Sequence, residues 1–97
     1  MIVKTSLGSY KIGGIYKHFK GNLYQIESVS KLHDSQNIFI INYHQVDKNG
    51  CYISIRNNLG QPNEEIIHQP FATHETRWND IVQDLQGNQV ERFKLIN

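Results

Sequence analysis

The sequence predicts an all-β domain, and three observations carry that prediction. Apolar and polar residues alternate over short runs, as from Cys51 to Arg56, which is the period of a strand with one face buried. Turn clusters such as Gly21-Asn22, Asp47-Lys48-Asn49-Gly50 and Gln86-Gly87-Asn88 break those runs at intervals of roughly ten residues. The 97 residues leave room for one core, hence one domain over 1–97. Five or six strands in so short a chain fit a small SH3-like antiparallel barrel best, with room for one short helix or 3-10 turn.

Ile2 to Lys4 reads as a short strand, Ser6 to Ser9 as a turn around Gly8, and Tyr10 to Ile12 as a lead into Gly13-Gly14. That glycine pair lacks the spacing of a dinucleotide loop and the following Lys-Ser/Thr of a phosphate loop, so it is read as a bend. Residues 15 to 20 make a strand, with Ile15 and Phe19 on one face and Tyr16, His18 and Lys20 on the other. Gly21-Asn22 reverses the chain. Between Ile26 and Val29 the apolar pattern changes phase, which predicts a β-bulge near Glu27-Ser28.

His33 to Asn37 is turn chemistry. Ile38 to Tyr43 is almost continuously apolar, the mark of a central strand covered on both faces. Cys51 to Arg56 is expected to pair back on it, with Cys51, Ile53 and Ile55 inward. Asn57 to Glu65 reads as loop and Ile66-Ile67 as a short edge strand, limited by Pro70. Trp78, Ile81, Val82 and Leu85 fall at helical spacing. A turn and a last strand, Val90 to Ile96, follow at once, so periodicity leaves 76–85 open between helix and strand. The core expected is Ile15, Phe19, Ile26, Ile40, Ile53, Ile55, Phe93 and Leu95, with Trp78 as a core or rim aromatic.

Composition narrows the function classes. A formal net charge of +1 argues against a protein that binds polyanions by bulk charge. The charge is uneven: Lys4, Lys11, Lys17, Lys20 and Lys31 precede residue 32, and Glu64, Glu65, Glu75, Asp80 and Asp84 follow later, which reads as two solvated faces. Cys51 is the only cysteine, so an intrachain disulfide is excluded and a reducing cytoplasm is expected. No apolar run is long enough for a membrane span, and the opening residues are too polar for a signal peptide.

Residues 14 to 24, Gly-Ile-Tyr-Lys-His-Phe-Lys-Gly-Asn-Leu-Tyr, closely resemble the opening signature of a bacterial family, the DUF1653 domain. That signature is a Gly, a Tyr, then His-Phe/Tyr-Lys-Gly and a strand containing Tyr. Two later marks are similar: an apolar strand ending in Tyr43, and a closing hairpin, Gln83 to Phe93, that ends in Arg92-Phe93. The resemblance covers roughly residues 13–96. It departs at Asn57 to Glu65, which looks like an insertion, at Gln69-Pro70, where the family has Arg-Pro, and at Leu85-Gln86, which intervene between Asp84 and Gly87. The resemblance implies an SH3-like barrel, makes 78–84 a strand of the closing hairpin, and brings no assigned reaction.

Candidate sites can then be weighed. Tyr16, His18 and Lys20 would make a donor-rich patch with an aromatic wall, suited to an anionic or planar ligand, and Tyr43 and Arg92 are placed with them as binding residues. The competing reading makes His18 a structural residue satisfied internally. His18, His33, His44, His68 and His74 match no zinc spacing, so no metal or cofactor is expected. Cys51, on the apolar parity beside a turn, reads as an inert half-buried thiol, and Glu64-Glu65 as loop solvation. No nucleophile elbow is present. The residues favour a non-enzymatic binding module for a small ligand or protein partner. The alternative is single-stranded RNA or DNA, stacked on Tyr10, Tyr16 and Tyr24 beside Lys11, Lys17 and Lys20.

Overall fold

The computed structural model describes residues 1–33, 37–53, 55–56, 66–67 and 70–97, with 55–56 and 66–67 described by backbone alone. β1 (Ile2–Lys4) and β2 (Ser9–Lys11) form an antiparallel ribbon across a turn in which Thr5 and Gly8 share hydrogen bonds. β3 (Ile15–His18), β4 (Leu23–Lys31) and β5 (Phe39–Val46) follow as an antiparallel meander. β6 (Ile55–Arg56) pairs with β7 (Ile66–Ile67). β8 (Phe71–His74) runs into α1, the single turn Glu75–Trp78. β9 (Ile81–Gln83) and β10 (Gln89–Glu91) make a second hairpin, and β11 (Phe93–Leu95) ends the fold.

The architecture is therefore all-β, antiparallel and barrel-like, with one short helix, as the sequence predicts. Its main ladder is a five-stranded sheet in the order β11-β3-β4-β5-β8, flanked by two-stranded ribbons. The predicted bulge is present: the β4–β5 register shifts between Ile26 and Ser28, and Glu27 is the extra residue. The shift lets Ile26 and Val29 both contribute to one core despite their odd spacing. Glu27 itself meets His44 Nδ1 at 3.0 Å. Gly21, at φ +111°, closes the β3–β4 reversal in a conformation that side chains rarely adopt.

The core is aromatic. Tyr10, Tyr16, Ile26, Ile41 and Trp78 are buried together, with Ile12, Val29, Tyr43 and Phe93 packed against them. Trp78 stacks on Phe93 at 3.8 Å between ring centroids and 5° between planes, and Tyr16 meets Trp78 edge-on at 5.2 Å. α1 exists to deliver Trp78. His74 caps it by accepting from the Thr76 backbone N–H at 3.3 Å, and Glu75 and Trp78 are its buried residues.

Several expectations are corrected here. The segment 76–85 is both things in turn: one helical turn, then a strand of the closing hairpin. The inward face of β3 is that of Tyr16, and Ile15 and Phe19 are only half-buried. Tyr16 can take the core position because its hydroxyl accepts the Lys11 backbone N–H at 3.0 Å, so no polar group is left stranded. Ile53 and Leu95 are exposed and Ile40 is half-buried, while Ile55 lies outside the described side chains. Cys51 to Arg56 does not pair along β5. Among the described residues that hairpin makes one bridge, Val46 to Tyr52, with bonds from Ile53 N–H to the Gln45 carbonyl and from Asp47 N–H to the Cys51 carbonyl. β8 then takes the place beside Ile40 to Tyr43. Cys51 is exposed, not half-buried. The expected loop from Asn57 to Glu65 lies outside the described residues.

Candidate functional site

The β3–β4 reversal begins at His18. Its backbone N–H donates to the Asn22 carbonyl at 2.8 Å, and its carbonyl accepts from Gly21 N–H at 2.8 Å. Lys20 therefore sits in the turn and not on the strand, since β3 ends at His18. Lys20 donates its backbone N–H to His18 Nδ1 at 3.1 Å, so the proton of the neutral imidazole resides on Nε2. The ring is half-buried among Phe19, Phe93 and Tyr24, at centroid distances of 4.6, 5.0 and 6.2 Å. Burial, then the charges of Arg92 and Lys20, hold its pKa below the ordinary value of 6.5.

Arg92 stands between β10 and β11, where its backbone N–H donates to the Asp80 carbonyl at 2.9 Å and its carbonyl accepts from Phe19 N–H at 2.9 Å. Those bonds fix the stem. The guanidinium lies over the Phe19 ring at 5.8 Å, reaches Asp80 Oδ2 only at 3.7 Å through Nη2, and keeps a buried Nε without a hydrogen-bond partner. Tyr43, on β5, is edge-on to Tyr24, Trp78 and Phe93. Its phenol pKa is raised by burial and then by Tyr24, and lowered by Arg77 and Arg92 nearby.

Two clefts meet at His18. The smaller, of about 140 Å³, is lined by His18, Tyr24, Tyr43, Thr73, Arg77, Arg92 and Phe93. The larger, of about 460 Å³, is an open groove toward β10 and holds Lys17 and Lys94 together with Asp84 and Glu91. The smaller is the better candidate site. Its cations lack answering carboxylates among its lining residues, whereas the groove carries both signs.

Of the residues expected to form the site, His18, Tyr43 and Arg92 line one cleft. Tyr16 does not: it is 5% exposed and belongs to the core. Lys20 lines neither cleft and lies 5.7 Å from the Phe19 ring. Thr73, Arg77 and Phe93 were not among the sequence candidates, and Tyr24 was one only as a stacking platform for nucleic acid. The hairpin register could have supplied Tyr24, which pairs with Tyr16 two residues from His18. Thr73 and Arg77 arrive through the β5–β8 pairing, for which no local signal exists.

A second polar cluster lies under the β1–β2 ribbon. Glu75 is 1% exposed, and its Oε2 accepts from Tyr10 OH at 2.6 Å and from Thr5 Oγ1 at 2.7 Å. Asn79 Nδ2 donates to Tyr10 OH at 2.6 Å. Glu75 Oε1 is buried without a partner. Among the described residues, no group of three or more His, Cys, Asp or Glu is placed to hold a metal ion, and no helix is long and apolar enough to cross a membrane. Compared with protein-family models, curated proteins and solved structures, the chain finds no match.

Proposed function

We propose that the domain is a non-enzymatic binding module whose site is the cleft between His18, Tyr43, Arg77 and Arg92. One observation carries the reading: side chains from β3, β5, α1 and the β10–β11 junction converge on one small cleft, and its two guanidiniums, Arg77 and Arg92, have no carboxylate among the lining residues. Cationic donors converging on a cleft that holds no answering carboxylate are positions that a ligand can complete. The motif resembling the DUF1653 signature is the framework of this site, because its turn fixes the His18 tautomer. The reading places the module in a reducing cytoplasm, where a single thiol such as Cys51 persists.

The nucleic-acid alternative is weakened by burial. Tyr10 and Tyr16, two of its three stacking platforms, are 1% and 5% exposed. Stacking needs an accessible ring face.

The test is ¹⁵N–¹H NMR of the labelled domain against a panel of small metabolites, and separately against short single-stranded RNA and DNA. The expected result is shifts confined to the cleft residues with a member of the small-molecule panel. Shifts centred on the Lys17–Lys94 groove, or shifts from oligonucleotides that vanish as salt rises, would defeat the reading.

A further inference from the structure

The cleft has a charge imbalance that its own residues leave unanswered. Arg77 and Arg92 both line it, and no lining residue is acidic. Among the described residues, the ion pair that Arg92 makes is with Asp80, at 3.7 Å to a half-exposed carboxylate. That separation is too long for a hydrogen bond, and a pair so exposed contributes little. His18 adds a further donor: Nδ1 is occupied by the Lys20 N–H, which leaves Nε2–H as the ring's remaining polar group. Thr73, Tyr24 and Tyr43 bring hydroxyls to the same walls. The basicity of His18 is depressed first by burial and then by the charge of Arg92, one of the two cations of this cleft.

We infer that this cleft receives one oxyanion, the carboxylate or phosphate group of a small molecule, with Arg77 and Arg92 as its charged partners and His18 Nε2–H as a neutral donor. The inference rests on the reading that this cleft is the binding site, and it names what that site takes. A cation would be repelled by both guanidiniums. A neutral amide would leave them uncompensated, whereas hydrogen bonds between guanidinium and oxyanion are roughly twice as strong as neutral ones. The volume of about 140 Å³ suits a single compact group. The tyrosine and phenylalanine walls face the less polar part of the ligand. The larger groove is not the anion site, because Asp84 and Glu91 stand there beside Lys17 and Lys94.

The experiment titrates the labelled domain with inorganic phosphate, with benzoate, and with benzamide as the uncharged counterpart of benzoate. Saturable shifts at His18, Thr73, Arg77 and Arg92 are expected from at least one anion and not from benzamide. The anion that saturates at the lower concentration identifies the group. The His18 ring pKa, read from its ring-proton shifts, should rise on saturation, because nearby negative charge favours the imidazolium. Arg77→Gln, at an exposed position outside the core, should weaken anion binding by about tenfold, equivalent to about 1.4 kcal/mol. If benzamide binds as well as benzoate and Arg77→Gln changes nothing, the oxyanion is overturned and the cleft remains a site for neutral ligands. Drift that sodium chloride reproduces without saturating also overturns it. Silence at the cleft residues with all three probes overturns both the oxyanion and the binding site.

Discussion

Tyr10 ties three parts of the chain together through one oxygen: its hydroxyl donates to Glu75, accepts from Asn79, and sits in the bonded cluster that Thr5 completes. Tyr10→Phe keeps the ring and removes only those bonds, leaving Asn79 Nδ2 without that acceptor and Glu75 with one donor fewer. We expect a loss of about 1–3 kcal/mol in urea unfolding, the usual cost of stranding buried polar groups. His18 gives a pH prediction. Its folded pKa lies below 6.5, so the unfolded chain takes up the proton first as pH falls. The stability it contributes is complete above about pH 6.5 and declines as pH drops toward the folded value. His18→Asn should flatten that part of the stability–pH profile; an unchanged slope would show that neither the burial of the ring nor the charges beside it are felt by the fold. At this scale the sequence was partly legible. His18, Tyr43 and Arg92 stood out by residue type and motif, and they share a cleft. Glu75 did not, because an acid among Glu64, Asp80 and Asp84 reads as solvation until tertiary structure covers it.

Among the elements, α1 is a single turn of four residues and one of the most consequential. A single turn cannot be stable by propensity alone, since helix nucleation is unfavourable and most helical stability comes from packing. Here the packing is Trp78, 3% exposed, against Phe93, Tyr16 and Tyr43. Trp78→Ala should cost about 3–5 kcal/mol, measured by denaturant unfolding. A loss below about 1 kcal/mol would mean the ring is not part of the core. Element-level legibility followed how local each signal was. The bulge at Glu27 was readable because a change of phase needs only one strand. The inward face of β3 was misread because Ile15 and Tyr16 are both apolar enough for a core. The choice fell to the partner of the Tyr16 hydroxyl, which lies on β2.

For the molecule as a whole, the all-β class was readable from alternation and turns, while the order of the sheet was not. The placement of β8 beside β5 displaced the expected neighbour, Cys51 to Arg56, and with it the burial assigned to Cys51 and Ile53. Only long-range pairing decides that order, and it leaves no period in the sequence. The pairing of β11 with β3, which sets Phe93 opposite His18, has a kinetic consequence. The two partners come from near opposite ends of the chain, so closing the loop between them carries a large entropic cost, and such topologies fold slowly. During synthesis the His18 turn leaves the ribosome long before Arg92 and Phe93 do. Until they arrive, the β3 edge has no partner and the cleft lacks a wall. The ligand recognition proposed for this cleft would thus be among the last properties the chain acquires, and a bound ligand would report that folding is complete.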